Sequence, residues 1–366
     1  MFARCGVIVA VSLAACSHTD SFANSVPDIG PLNSSTDVLL TLNSGQNYWP
    51  TLTEDGAAVL YAYVDASEAT VRPVTQFEGF PLHVHRCMGL IPVQGGTRSW
   101  EYCDNRGNEV DSLTSFTAFA LASDGRLVYA ESTTPRRLPF DSARVSLWLA
   151  DSATPFRRTL LAKCPTILGD SVVNWFADIS WTGPSTFLAV AQRMQTVFHA
   201  PQSPAVDSLF LGEHVVRGTI IGNTVTLIAV PGTAGATSYS VAEGGASIIF
   251  TQRDNLNLMK VPVAGGVPVV AAAATPRLGA QLVGVSCRSA TCMVGIGEAS
   301  PTEVRAVSIA TGAAATVLSR SAQTLSSPLL TASGDVIAQF GPGIGRLQTF
   351  SSSANNTLHL YRALVP

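Results

Sequence analysis

Short apolar runs separated by tight polar turns occupy most of the chain. In the clearest case, Trp49 begins an apolar run, Glu54-Asp55-Gly56 follow, and a second apolar run reaches Tyr61. Asp-Gly between apolar runs favours a tight hairpin, because glycine adopts positive φ and the aspartate side chain hydrogen-bonds the turn backbone. The pattern therefore predicts two antiparallel strands joined at Gly56.

The same hairpin pattern returns five more times along the chain. The six turns lie about 44 to 69 residues apart, at Gly56, Gly125, Ser185, Gly245, Ala290 and Gly334. Third strands are predicted at 146–151, 208–211, 257–262 and 304–309, and fourth strands at 158–161 and 315–318. Four antiparallel strands repeated around a ring form a β-propeller. We therefore predict an all-β fold, a six-bladed β-propeller of four-stranded antiparallel blades in a single domain at residues 37–366.

The last unit is one strand short of a complete blade. After Gly334 the pattern offers one strand to Phe340 and another at about 357–365. The apolar segment 38–42, which precedes the first hairpin, has no partner of its own. Because native proteins avoid unpaired strand edges, we expect this N-terminal strand to complete the last blade and close the ring. The alternative is that the segment is the end of a tether.

The repeat resembles that of the TolB-like family. Pro50 and the Thr53-Glu54-Asp55-Gly56 turn are similar to its Pro-x-x-Ser-Pro-Asp-Gly motif, and residues 257–266 are similar to a strand that follows the motif there. The resemblance covers about 46–366, although the third, fourth and fifth units lack the aspartate. It implies a β-propeller of the cell envelope that binds other proteins through a propeller face.

The N-terminus has the three-part layout of a secretory signal. Arg4 precedes a short apolar run, and small residues lead to Cys16. The run is shorter than the roughly 20 apolar residues that cross a bilayer. Leu13-Ala14-Ala15-Cys16 resembles the bacterial lipobox, which implies a signal peptide at 1–15 and a lipid attached to the Cys16 thiol. An ordinary signal peptide with an incidental cysteine is the alternative.

Residues 16–36 are predicted to form a flexible tether between lipid and propeller. They are rich in Ser, Asn, Asp, Pro and Gly, and such a composition buries too little apolar surface to order itself. We therefore expect an exported protein, anchored by lipid to a membrane of the cell envelope. Ser17, where some bacteria place an aspartate to retain lipoproteins at the inner membrane, favours the outer membrane, facing the periplasm or the cell surface.

Composition and charge argue against nucleic-acid binding. The chain has 22 basic and 25 acidic residues, a net charge of −3, and no basic block. It also lacks the Gly-x-Ser-x-Gly elbow, the phosphate-binding loop and the His-Glu-x-x-His motif. No cofactor and no catalytic residue is therefore predicted.

Two disulfides are predicted from the positions of cysteines around turns. Cys287 and Cys292 flank a four-residue turn, and Cys87 and Cys103 flank Gly95-Gly96 in a second hairpin. Facing positions on adjacent strands come close enough for a disulfide, and an exported protein meets oxidising conditions. Cys164 is left over and is interpreted as a buried thiol.

Histidine and aspartate positions give weaker signals. Alternation along a strand places His83, His85 and Cys87 on one face, as zinc ligands would be, but we interpret them as the polar face of an edge strand. Asp151, Asp178 and Asp254 lie at or near strand ends. Inner-strand acids could bind a metal or a substrate at the channel mouth, but these acids do not recur at one place in each repeat, so we favour structural roles in turns.

Four aromatic residues precede or begin inner strands: Tyr48, Trp49, Trp175 and Tyr239. They could form a binding face around one mouth of the central channel, since aromatic residues are enriched in binding hot spots. Packing between blades is the alternative, and we favour it.

Two functions remain open. The first is a non-catalytic scaffold propeller that binds envelope proteins or a ligand. The second is a propeller enzyme, a hydrolase or lyase with its site at the channel mouth. Three or more convergent acidic, histidine or asparagine side chains at the channel would favour the enzyme, whereas hydroxyl and apolar groups would favour the scaffold.

Overall fold

The computed structural model shows an all-β protein whose six four-stranded antiparallel blades form a ring. It describes residues 30–34, 37–40, 47–63, 76–77, 80–81, 87–103, 112–135, 144–164, 166–168, 171–198, 206–252, 255–273, 281–297, 302–320, 323–325, 328–342 and 357–361. Within these ranges there is one short 3-10 turn, Glu243–Gly245, and no helix long and apolar enough to cross a membrane.

The first strands of the chain form a small hairpin and then the first blade. The hairpin consists of β1 (Gly30–Ser34) and β2 (Asp37–Leu39). A second hairpin, β5 with β6, lies between the second and third strands of blade 1. These six strands are β3 (Asn47–Leu52), β4 (Ala58–Tyr63), β5 (Gln76–Phe77), β6 (Phe80–Pro81), β7 (Cys87–Pro92) and β8 (Trp100–Cys103).

Blades 2 to 5 each pair four consecutive strands. Blade 2 consists of β9 (Ser112–Leu121), β10 (Arg126–Pro135), β11 (Arg144–Asp151) and β12 (Arg158–Lys163), and is followed by the hairpin β13 (Thr166–Leu168) and β14 (Ser171–Val173). Blade 3 consists of β15 (Trp175–Gly183), β16 (Thr186–Phe198), β17 (Val206–Ile221) and β18 (Thr224–Ala229). Blade 4 consists of β19 (Ala236–Ala242), β20 (Ser247–Gln252), β21 (Asn257–Pro262) and β22 (Val269–Ala273). Blade 5 consists of β23 (Gln281–Arg288), β24 (Thr291–Gly297), β25 (Thr302–Ser308) and β26 (Ala314–Arg320).

The closing blade joins the two ends of the chain. Its own strands are β27 (Gln323–Leu325), β28 (Leu329–Leu330), β29 (Val336–Pro342) and β30 (Thr357–Tyr361), with β27 and β28 both paired to β29. Strand β2 pairs with β30, so that Asp37 faces Tyr361, and the Leu40 amide donates to the Leu358 carbonyl at 2.8 Å. The prediction that an N-terminal strand closes the ring is confirmed.

Strand β1 lies within the segment 16–36 that the composition assigned to a tether. It pairs with β2 at the outer edge of the closing blade. Backbone pairing at a sheet edge needs few apolar side chains, so the low hydrophobicity of this segment did not indicate a strand. The predicted signal peptide, Cys16 and the rest of the tether lie outside the described residues.

Six apolar clusters fill the six interfaces between neighbouring blades. The second strand of each blade is buried on both faces, and its successive side chains point to opposite sides. In blade 1, for example, Leu60 packs toward blade 2, whereas Tyr61 packs toward the closing blade. The same alternation occurs at Val128 and Tyr129, Phe187 and Leu188, Ile249 and Phe250, Met293 and Val294, and Val336 and Ile337. This double burial explains why these strands appear in the sequence as nearly continuous apolar runs.

Two buried arginines bridge the strands of blades 1 and 2. Arg98 donates to the hydroxyls of Tyr61 and Tyr63 and pairs with Glu101 at 2.9 Å. In the next blade, the Arg158 guanidinium pairs with Glu131 and lies 3.8 Å from the centre of the Trp148 ring. Burial raises the pKa of the Tyr63 and Tyr129 hydroxyls, which therefore stay neutral beside these ion pairs.

Both predicted disulfides are present. Cys87 lies directly opposite Cys103 on β7 and β8, with Cα atoms 4.1 Å apart, and Cys287 lies opposite Cys292 at 4.0 Å. Cys164 is the free cysteine among the described residues. It is buried between blades 2 and 3, and burial raises the pKa of its thiol to about 12.

Ring closure makes a prediction about Leu40. This side chain is fully buried against blade 1, and truncating such a leucine leaves a cavity. We expect Leu40→Ala to lower the free energy of unfolding by about 2–5 kcal/mol, measured by equilibrium urea denaturation. Leu160→Ala, on an outer strand where Leu160 is 44% exposed, is the control and should cost less than about 1 kcal/mol. Equal losses in the two variants would contradict closure by this segment.

Candidate functional site

A central cavity of about 800 Å³ runs along the axis of the ring. It is lined by the first strands of all six blades, β3, β9, β15, β19, β23 and β28. Gly245 and Val263 belong to its wall at the end that carries the hairpin turns between first and second strands. We call this end the turn-end mouth.

Each of the first five inner strands has an irregular register at nearly the same level of the channel. The irregular residues include Trp49, Thr117, Asp178, Thr237 and Val283, which precede the hairpin turn of their blade by seven or eight positions. Trp49, Thr117 and Asp178 also line the cavity. A β-bulge re-aims a side chain and often lies beside a site. We call this set the bulge level.

Two residues of the bulge level have strained backbones. Trp49 has φ of 49° and Asp178 has φ of 46°. Aspartate tolerates this left-handed region, whereas tryptophan rarely adopts it. Such strain persists only where the surrounding structure imposes it, and it is concentrated at functional sites. The channel therefore has two strained residues, one aromatic and one acidic, on blades 1 and 3.

Asp178 is the acidic group inside the channel. Its carboxylate accepts hydrogen bonds from the Ser238 hydroxyl and the Tyr239 backbone amide, both on β19. Protein atoms surround the carboxyl group, and the resulting loss of hydration raises its pKa above the ordinary value. The Tyr239 hydroxyl in turn lies 2.5 Å from the Ser180 hydroxyl. Asp178 and Tyr239 thus belong to one hydrogen-bonded group between blades 3 and 4.

Channel hydroxyls also hold neighbouring inner strands together. The Ser240 hydroxyl accepts the Cys287 amide of blade 5 at 2.8 Å, and the Ser286 hydroxyl accepts the Leu330 amide of the closing blade at 2.9 Å. Ser180 occupies the corresponding position in blade 3, five residues before its turn. Part of the polar lining is therefore structural, since these hydroxyls replace the strand pairing that is absent between blades.

The other charged residues of the cavity wall lie at the turn-end mouth. The Glu54 carboxylate accepts the Ser123 amide and hydroxyl of blade 2 at 3.0 and 3.1 Å. The Arg217 guanidinium donates to the Val263 carbonyl of blade 4. Both side chains connect neighbouring blades, and Asp178 is the charged residue of the described lining at the bulge level.

The predicted aromatic face is divided between two environments. Trp49 and Tyr239 line the cavity, but Trp49 also packs against the cluster between blades 1 and 2, and Tyr239 belongs to the cluster between blades 3 and 4. Trp175 begins β15 and packs against the apolar cluster between blades 2 and 3. The side chain of Tyr48 lies outside the described residues, although its backbone belongs to β3. The use of these residues as a binding face stays a prediction.

The structural turn roles predicted for three aspartates had different outcomes. The turn role of Asp151 is confirmed, because its carboxylate accepts the Ala153 amide at 2.7 Å. The turn role of Asp178 is wrong, since this residue lies inside β15 and faces the channel. Asp254 lies outside the described residues. Aligning the repeats by their turns could have identified Asp178, because it corresponds to Trp49 in blade 1.

The zinc-like pattern around Cys87 has a structural explanation in part. The sulfur atoms of Cys87 and Cys103 and a carboxylate oxygen of Glu101 lie within 4.8 Å of one another. The two sulfurs form a disulfide, and metals bind the thiolate form of cysteine. Glu101 also pairs with Arg98. His83 and His85 lie outside the described residues.

Comparison with known proteins establishes the class of fold. A gluconolactonase from Xanthomonas campestris is 11% identical, with 88% of each chain covered and a TM-score of 0.50. A luciferin-regenerating enzyme is 8% identical, with 87% of this chain and 92% of that chain covered, and a TM-score of 0.50. At these identities the likeness shows the fold alone, a six-bladed β-propeller. Neither a protein-family model nor a curated protein matches the chain.

The environment of Asp178 predicts a pH-dependent stability. A carboxyl group whose pKa is raised by folding disfavours the folded state as pH rises through the interval between its unfolded and folded pKa. We therefore expect Asp178→Asn to melt at a higher temperature than the wild type near neutral pH. The difference should vanish in acid, below the ordinary carboxyl range, when thermal unfolding is followed across a pH series.

Asp124→Asn is the matched control for this series. Hydrogen bonds from the Arg126 backbone and side chain lower the pKa of Asp124, so this variant should lose stability near neutral pH and match the wild type in acid. If Asp178→Asn raised the melting temperature equally at all pH values, the raised pKa of the Asp178 carboxyl group would be contradicted.

Proposed function

We propose that the protein is a lipid-anchored, non-catalytic binding propeller of the bacterial cell envelope. The observation that carries this proposal is the chemistry of the channel. Its described lining combines apolar and aromatic surface with hydroxyl groups, and it contains two carboxylates, Asp178 and Glu54, of which Glu54 bonds to the neighbouring blade. Such a lining suits recognition of a ligand or of a protein segment.

The geometry of ring closure supports anchoring through Cys16. Strand β1 is the outermost strand of the closing blade, so the segment before it begins at the rim of the ring. A tether from Cys16 to this rim would leave both end faces of the propeller free for a partner. The resemblance to TolB-like propellers, carried by the Thr53–Gly56 turn, supports the same arrangement. In that turn Asp55 accepts the Ala57 amide at 3.0 Å.

A propeller hydrolase or lyase is the second candidate. The strained, enclosed carboxyl group of Asp178 favours it, and the names of two proteins of similar fold describe enzymes. Hydrolysis of a sugar lactone or a related ester distinguishes the two candidates. An enzyme would turn over such a substrate, and Asp178→Asn would abolish the turnover.

Anchoring predicts a specific effect at Cys16. In cells fed an alkyne fatty acid, the wild-type protein should incorporate the label and sediment with membranes. Cys16→Ser should lose the label because no thiol is left to receive the lipid. Cys5→Ser, which changes the other cysteine of this segment, is the control and should keep both label and sedimentation. Equal labelling of Cys16→Ser and the wild type would contradict lipid attachment at this residue.

Binding through the channel predicts the effect of filling it. Thr51 lines the cavity from β3, and Thr51→Trp would occupy part of its volume. In affinity capture from envelope extracts, we expect this variant to lose the proteins that the wild type retains. Val269→Trp, on an outer strand where Val269 is 55% exposed, is the control and should retain them. Both variants are first checked for wild-type melting temperature, and equal capture by both would contradict a role of the channel.

A further inference from the structure

The carboxylate of Asp178 keeps unused capacity to accept hydrogen bonds. An ionised carboxylate offers about four acceptor positions, and the Ser238 hydroxyl and Tyr239 amide are the donors to it among the described residues. Both donors are neutral, so they orient the carboxylate without cancelling its charge. Asp178 is therefore held by two neutral donors at a position where it lines the cavity.

The described wall of the cavity provides no basic side chain at the bulge level. Its one described basic side chain, Arg217, lies at the turn-end mouth and donates to the Val263 carbonyl. Removing a carboxylate from water without a counter-charge is costly. A positively charged ligand would remove this cost, whereas a neutral ligand would leave it and an anionic ligand would increase it.

Aromatic surface accompanies the carboxylate. Trp49 and Tyr239 line the same cavity, and the faces of aromatic rings attract cations. The same wall includes the apolar side chains of Leu52 and Ile179. The bulge level thus combines the carboxyl group of Asp178 with aromatic and aliphatic surface, which is the complement of an ammonium group attached to an apolar body.

We propose that the channel binds an organic cation, with its ammonium group on the Asp178 carboxylate and its apolar body against Trp49 and Tyr239. This proposal rests on the proposed binding function, and it assigns the ligand class. A primary amine would donate directly to the free acceptor positions of the carboxylate. Trp49 and Asp178, the residues of the bulge level with strained backbones, both line the cavity that would hold this ligand.

Three probes of nearly equal size test the proposal. They are 2-phenylethylamine, 2-phenylethanol and phenylacetate, which carry a positive, neutral and negative group beside a phenyl ring. Binding to the full mature chain is measured by calorimetry and by tryptophan fluorescence, since Trp49 and Trp181 both line the cavity. We expect the amine to bind at least about tenfold more tightly than the alcohol, because charge-assisted hydrogen bonds are stronger than neutral ones. Phenylacetate should bind most weakly.

Two variants test whether the preference for the amine depends on the Asp178 carboxylate. Asp178→Asn should reduce the preference for the amine over the alcohol to less than about twofold, because it removes the charge and keeps the shape. Asp124→Asn, on an exposed turn outside the described cavity wall, is the control and should leave the preference unchanged. The comparison of probes on the wild type needs no variant, so the proposal stays testable even if Asp178→Asn folds poorly.

Several results would overturn the proposal. They are equal binding of amine and alcohol, preferential binding of phenylacetate, an unchanged preference in Asp178→Asn, and no binding of the amine. If 2-phenylethylamine does not bind, but Thr51→Trp still loses the captured envelope proteins, the proposed ligand class is wrong and the proposed binding function stands. If capture is also unaffected by Thr51→Trp, the binding function fails with it.

Discussion

The pairing of β2 with β30 is the interaction on which the ring depends. Without it the closing blade would lack its fourth strand, and β30 would present unpaired backbone groups at its outer edge. The same pairing brings Leu40 into the interface with blade 1, where it packs in one cluster with Tyr61 and Leu360. Backbone pairing and side-chain burial therefore close the ring together.

The chemistry of the channel depends on the irregular positions of the inner strands rather than on the regular alternation of their side chains. A regular inner strand directs alternate side chains to the two neighbouring interfaces, as the second strands do. At the bulge level this alternation is interrupted, and Trp49 and Asp178 both line the cavity. The hydroxyls of Ser240 and Ser286 complete the wall by joining one inner strand to the next. The side chains of the channel wall thus connect neighbouring blades and also determine the chemistry of the cavity.

The hydrophobic pattern predicted the blades and their closure because both depend on strand alternation and turn chemistry. Asp55-Gly56 and Asp124-Gly125 indicated hairpins directly, and counting strands after Gly334 indicated the missing one. The disulfides followed from cysteines placed symmetrically about turns. Asp178 was misassigned because a bulge depends on backbone geometry that the apolar pattern does not record. Strand β1 was missed because edge pairing leaves little apolar signal, and Trp175 could not be separated from Trp49 without knowing which face of its strand it occupies.

Closure also sets an order of events during folding. Asp37 pairs with Tyr361, so the contact joins positions more than 300 residues apart in the chain. Blades 1 to 5 can each form from consecutive strands as they emerge, but the closing blade has to wait until β30 has been synthesised. Contacts of such long range form slowly and leave intermediates with exposed strand edges. The nascent protein therefore passes through a state with an open ring, and that state is the one most exposed to aggregation or to a folding helper.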